Sequence, residues 1–250
     1  MFTDTHCHLS KEDYEDIDAV IDRAKENGIN RLIICGCDKK GIEEAIEIAD
    51  IYDNIYLEIG FHPSEANITT EEDINWLIDL IKNNKKVVAV GEIGLDYHWD
   101  KDNKDKQKEL FRRMISISKD YNLPVVIHSR DAFQDTYDIL KETKVTGDIH
   151  CFSGNLDNAK MYIDLGFVLG IGGVLTFKNT NLQETIKEIP LDKIILETDS
   201  PYLSPEPFRG KQNEPKNVRY VAEKLAELKG ETIEKISTIT EDNIKRVFNI

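Results

Sequence analysis

Hydrophobic residues in this 250-residue chain gather into eight short, nearly continuous runs, at 2–8, 31–36, 55–61, 87–94, 124–129, 147–152, 166–172 and 193–199. Between them, at 14–27, 40–52, 71–83, 104–121, 132–144, 156–165 and 181–189, apolar positions recur every three or four residues, the spacing of a helix with one buried face. Two more helical patterns, 217–228 and 232–248, follow the last run. Apolar strands without alternation are buried on both faces, which calls for parallel pairing with helices outside. Eight such units in a chain of this length predict a TIM-type (β/α)8 barrel in one domain, 1–250, with an open doubly wound sheet as the competing architecture.

Several runs stop being hydrophobic at a residue that can hold a divalent ion: His6 and His8 in TDTHCH, Glu92 in VVAVGE, His128 in PVVIHS, His150 in GDIHCF and Asp199 in IILETDS. These lie on five strands, and a barrel brings all eight C-terminal strand ends round one mouth, which favours closure. Alternate strand residues share a face. His6 and His8 therefore form a chelating pair with Asp4 one step below, and the same parity aligns Val88, Val90 and Glu92, Val126 and His128, and Ile195, Glu197 and Asp199. Burying four imidazoles and two carboxylates without a compensating ion costs several kcal/mol, whereas that donor set suits zinc, manganese or magnesium.

Six ligands exceed the needs of one tetrahedral ion. Two ions about 3.5–4 Å apart, bridged by Glu92, are expected. Asp199 is a ligand, a base, or both. Such a pair supports hydrolysis. Its ligands must be deprotonated, so occupancy should decline below about pH 6.

The balance of 32 basic against 47 acidic residues, a net of −15, argues against broad adhesion to a nucleic-acid backbone. A polyanionic substrate must be gripped locally, where bound cations reverse the sign of the field. Candidate grips are Arg130 after strand five, Lys178 after strand seven, and Arg209 and Lys211 after strand eight, since barrels often seat phosphate on loops seven and eight. His62 and His98, on the loops after strands three and four, are candidate substrate contacts; Tyr97 and Trp99 are candidates for stacking on a base or for packing the loop.

No apolar stretch is long enough to span a bilayer, and MFTDTHCHLS has neither a basic nor an apolar leader region. The four cysteines fall in or beside strand runs, as reduced thiols of a cytoplasmic protein do. A lone Cys35-Gly36-Cys37 reads as small buried residues at a strand end rather than a thiolate metal site.

In order along the chain, TDTHCHL, GFHPSEA, VGEIGLDYH, PVVIHSRDA, HCFSG, GIGGVLTFKN, LETDSPYL, RGKQNEP and NIKRVF closely resemble the TatD family of metal-dependent deoxyribonucleases, related to the amidohydrolase barrels. The resemblance implies a TIM-type barrel with His6, His8, Glu92, His128, His150 and Asp199 on divalent metal, acting as a 3′-to-5′ exonuclease on DNA ends, single-stranded DNA included, with no membrane or obligate protein partner. Where the family often carries a second histidine after the HP of loop three, this chain has Ser64. Strand four ends in Glu92 rather than the carboxylated lysine common in amidohydrolases, which favours the nuclease branch. The alternatives are an ester or amide hydrolase such as an aminoacyl-tRNA deacylase, because the same activated water attacks carbonyls, and a metal-loaded binding protein without catalysis.

Overall fold

The computed structural model describes residues 1–250. Eight parallel strands pair in chain order: β1 (Phe2–Cys7), β2 (Ile29–Gly36), β3 (Ile55–Ile59), β4 (Val87–Asp96), β5 (Val125–Arg130), β6 (Gly147–Ile149), β7 (Val168–Ile171) and β8 (Ile194–Leu196). The ring closes where residues just past β8 meet β1. Cys7 bridges Ser200 in parallel, Asp199 N donates to the His6 carbonyl at 3.0 Å, and His8 N donates to the Ser200 carbonyl at 2.7 Å. This is a TIM-type (β/α)8 barrel.

The crossover helices are α1 (Ile17–Glu26), α2 (Lys39–Ile51), α3 (Glu71–Asn83), α4 (Lys104–Tyr121), α5 (Phe133–Thr143), α6 (Leu156–Asp164) and α7 (Leu182–Glu188), followed by α8 (Val218–Lys229) and α9 (Ile233–Phe248). Their starts follow local chemistry. Asp16, Asp38, Asn155 and Thr232 each accept from a first-turn N–H, and Thr70 with Asp73 forms a reciprocal capping box at α3.

Neighbouring strand residues divide between two apolar layers. Leu32, Ile34, Val125, Ile127, Leu169, Ile194 and Leu196 join the large core against the helices. Ile33, Val88, Ala89, Val126, Val168 and Ile195 form a separate inner cluster, capped by Ile244 and Phe248 from α9. The expected alternation fails in β4. Register shifts opposite Leu57/Glu58 and between Val90 and Ile93 reset the parity, so Val88 and Ala89 both face the inner cluster while Val90 joins the outer layer.

Two strands end three residues before the sequence pattern does. β6 stops at Ile149 and β8 at Leu196, so His150 and Asp199 lie beyond the ladder instead of inside it. Asp199 and Cys151 have φ of 54° and 47°, where the chain leaves strand geometry. Gly170 in β7 is required by contact: a side chain there would collide with the carboxylates of Glu197 and Asp148.

Candidate metal centre

At the C-terminal mouth the barrel brings four imidazoles and two carboxylates together. His6 Nε2 lies 3.2 Å from His8 Nε2, 3.9 Å from Glu92 Oε2 and 3.7 Å from Asp199 Oδ1. His8 Nε2 lies 4.0 Å and 3.6 Å from the same two oxygens. On the other side, Glu92 Oε1 is 2.6 Å from His128 Nδ1 and 3.5 Å from His150 Nε2. Glu92 thus turns one oxygen to each histidine pair.

Beneath this tier lie buried acids that orient it. Glu58 abuts His6 Nδ1, and the Glu197 carboxylate takes His150 Nδ1 at 3.1 Å and the Cys151 N–H at 2.9 Å. Asp96 Oδ2 sits 3.1 Å from His128 Nε2 and its other oxygen accepts from the N–H groups of His98 and Trp99. Asp4 accepts from the Thr198 N–H at 2.9 Å and hydroxyl at 2.6 Å, tying β1 to the segment that carries Asp199. An acid at the outer nitrogen of His6, His128 and His150 sets which nitrogen of each faces inward.

Asn213, fully buried, braces the loop after β8. Its amide donates to the carbonyls of Thr198 and Tyr202, while the Tyr14 hydroxyl donates to its own carbonyl.

The protein groups alone leave this cluster electrostatically unbalanced. Burial opposes charge on Glu92, yet His128 and His150 outweigh it and hold the carboxyl well below its usual range. Burial likewise opposes charge on His128, but Glu92 and Asp96 raise it to about 9; on His150 burial is outweighed by Glu197 and Glu92, which shift it upward. Burial pushes His6 down, and pushes Glu58, Glu197 and Asp148 up. Asp96 is brought to about 2: burial works against it, and the His128 contact and backbone N–H groups prevail.

Does this arrangement fit divalent metal? Nδ1 of His150 is bonded to Glu197 and Nδ1 of His6 abuts Glu58, so both Nε2 atoms are turned inward. Two ring nitrogens 3.2 Å apart, ringed by carboxylates, require a proton or a cation between them. Ligand atoms of His6, His8, Cys35 and Glu92 lie within 4.8 Å of one another, as do those of Glu92, His128 and His150, and of His6, His150 and Asp199. The residues fit divalent ions.

The cleft above encloses about 700 Å³ and is lined by His62, Trp99 and Arg130 among others. His62 Nδ1 accepts from the Ser64 N–H at 3.1 Å, its ring stands edge-on to His128 at 4.6 Å, and burial lowers its pKa to about 4. Arg130 lies over the Trp99 ring at 5.4 Å, and Trp99 is 77% exposed. Tyr97 instead packs its loop, buried with its hydroxyl donating to Asp135 at 2.6 Å. His98 stays outside the lining, 3.2 Å from Asp131.

Lys178, Arg209 and Lys211, expected as phosphate grips, do not line the cleft; all three are exposed, and Arg209 stacks over Phe177 at 3.6 Å. The basic residues that do line it are Arg130 and Lys40, and Lys40 is paired with Glu12. Sequence reasoning did not assign Glu58, Glu197, Asp96 or Cys35. A signal existed for the first two: each is an acid set in an apolar run, IYLEIG and IILETD.

A family model described as TatD related DNase matches residues 3–249. The chain belongs to that family. The uncharacterized metal-dependent hydrolase YabD of Bacillus subtilis (strain 168) is 49% identical over 255 residues, covering 100% of both chains. The uncharacterized metal-dependent hydrolase YcfH of Escherichia coli (strain K12) is 39% identical, over 99% of this chain and 95% of YcfH. Among solved structures, YJJV, a TatD homolog from Escherichia coli K12, matches with a TM-score of 0.93 at 30% identity, covering 100% of this chain and 98% of its own. The TatD-family chain is therefore one of a family of metal-dependent hydrolases, and the candidate ligand groups sit where barrel enzymes carry their chemistry. No helix is long and apolar enough to cross a membrane.

Proposed function

We propose that the protein is a metal-dependent deoxyribonuclease that removes nucleotides from DNA ends in the 3′-to-5′ direction. His6, His8, Glu92 and Asp199 hold one divalent ion, and Glu92, His128 and His150 a second. The observation that carries this reading is Glu92, buried, with one oxygen toward each histidine pair. Bound ions of this kind lower the pKa of water and offset charge on the phosphoryl oxygens.

The chain's own residues do the rest. Glu58, Glu197 and Asp96 keep the rings aimed. Asp199, at the edge of the cluster with its side chain 14% exposed, accepts the proton of the attacking water. Arg130 offers the guanidinium that a phosphate needs in an otherwise acidic cleft, and Trp99, exposed at the rim, offers a face for the terminal base.

Single-stranded DNA labelled at either end, incubated with purified protein and Mg²⁺, Mn²⁺ or Zn²⁺, tests the proposal. Early release of a 3′ label, with stepwise shortening of the 5′-labelled strand, supports it. A protein that binds metal yet leaves DNA intact while cleaving aryl esters or aminoacyl-tRNA would be a carbonyl hydrolase. With DNA as substrate, Trp99→Ala should raise KM by the equivalent of about 1–3 kcal/mol, the worth of one stacked base, and leave kcat near the parent value.

A further inference from the structure

Beside the imidazoles and carboxylates of the mouth stands a sulfur that the expected ligand set does not include. Cys35 is on β2, two residues above Ile33 of the inner cluster and paired in register with Glu58. Parity therefore turns it into the barrel. It is 4% exposed, and its Sγ lies 4.0 Å from Glu92 Oε2, the oxygen that also faces His6 and His8. One ligand atom from each of His6, His8, Cys35 and Glu92 lies within 4.8 Å of the others, close enough to share one ion.

We infer that Cys35 is a further, thiolate ligand of the ion held by His6, His8, Glu92 and Asp199, and that it biases this position toward zinc and against magnesium. The inference rests on the metal-site reading above and extends it to metal choice. Thiolate favours zinc, whereas magnesium demands oxygen donors and octahedral geometry. Binding releases the thiol proton to solvent as the Zn–S bond forms, with no change of oxidation state.

The other cysteines are placed differently. Cys7 Sγ is directed at the Ile33 carbonyl at 3.6 Å, Cys151 groups with His150 and Glu197, and Cys37, just past the end of β2, lines the cleft as Cys35 does but is not among the donors grouped with His6, His8 and Glu92.

The test uses the full chain, stripped with chelator and reloaded. Zinc X-ray absorption of the parent protein should show a sulfur shell at about 2.3 Å, and the cobalt-loaded protein a near-ultraviolet thiolate-to-metal charge-transfer band. Cys35→Ser should abolish both and weaken zinc binding by at least roughly tenfold, a loss that even an outer partner of a ligand produces, while magnesium binding holds or improves. Cys37→Ser and Cys151→Ser should keep the band.

Zinc taken up with a nitrogen and oxygen shell alone overturns the inference and leaves the metal site standing. A band that survives Cys35→Ser, or that disappears with Cys37→Ser or Cys151→Ser, overturns it as well. Should Cys35→Ser fail to fold, the parent X-ray spectrum still decides. No uptake of any divalent ion removes the metal site itself.

Discussion

The lower and upper halves of the barrel interior both bury side chains, on opposite terms. Below, Ile33, Val88, Ala89, Val126, Val168 and Ile195 close against Ile244 and Phe248 of α9. Above, Asp4, His6, Glu58, Glu92, Asp148, His150 and Glu197 are all buried too. Apolar burial stabilises the first by roughly 25 cal/mol per Å² removed from water. In the second, each carboxyl loses hydration and is compensated only by a partner, a proton or a cation. Asp148 shows the cost: neither of its oxygens has a hydrogen-bond partner, and burial with Glu197 nearby drives it toward its neutral form. Burial thus marks core in one half and chemistry in the other.

If that division holds, substitutions in the two halves should separate activity from stability. The largest effect is expected at Asp199. Asp199→Asn should reduce kcat by about 10²–10⁴-fold, the usual contribution of a positioned acid–base group, with Tm little changed; steady-state kinetics beside thermal melts checks both. A loss under tenfold would deny it the role of proton acceptor.

Phe248→Ala, below, should do the converse. It is 3% exposed, so unfolding should be easier by about 3–5 kcal/mol in denaturant titration, while kcat of the folded fraction stays within about twofold because the site lies at the other end. A comparable drop in kcat would show that the halves are coupled.

Between them, Glu197→Gln probes the supporting acids. It keeps shape but changes the partner of His150 Nδ1, so metal affinity should fall about 10–100-fold, measured by competition with a chromophoric chelator. An unchanged affinity would make Glu197 a packing residue.

The smallest effect concerns pH. His128 is raised to about 9 from an ordinary ~6.5: burial opposes its charge and the carboxylates of Glu92 and Asp96 prevail. A proton bound more tightly in the folded state stabilises it fully below about 6.5, and that contribution is lost as pH rises through about 9. Chelator-treated protein should therefore lose a few degrees of Tm (about 2–4 °C per kcal/mol) across that window, whereas the zinc-loaded protein should not. The same competition sets metal uptake. Protons on His128 and His150 must be displaced, so affinity should keep rising well above the pH 6 boundary that unperturbed histidines suggest. A Tm independent of pH from 6.5 to 9.5 in the stripped protein would contradict the carboxylate pairing of His128.

Much of this architecture was legible along the chain. Periodicity located α3 and α4 at the residues they occupy and the other elements within a few positions, because the 3.6 and 2.0 repeats are properties of each segment alone. The six candidate ligands were also legible, since a histidine or acid ending an apolar run stands out locally. What the pattern could not supply was alternation in β4, where a bulge is set by the neighbouring strands rather than by β4 itself. Cys35 is buried at the end of β2, as its pattern indicates, but nothing near it in sequence announces its approach to Glu92.

The chain by itself thus determined the number and order of β/α units and the chemical types offered at the strand ends, all of which follow from spacing and side-chain identity. Only the tertiary structure decided which groups meet. It set Glu92 between two histidine pairs, slid Glu58, Glu197 and Asp96 behind the rings, left Lys178, Arg209 and Lys211 off the cleft, and brought the Cys35 sulfur beside Glu92. Distances through space depend on barrel closure along the β1 seam with the residues after β8, and closure joins residues nearly two hundred positions apart, beyond the reach of any local signal.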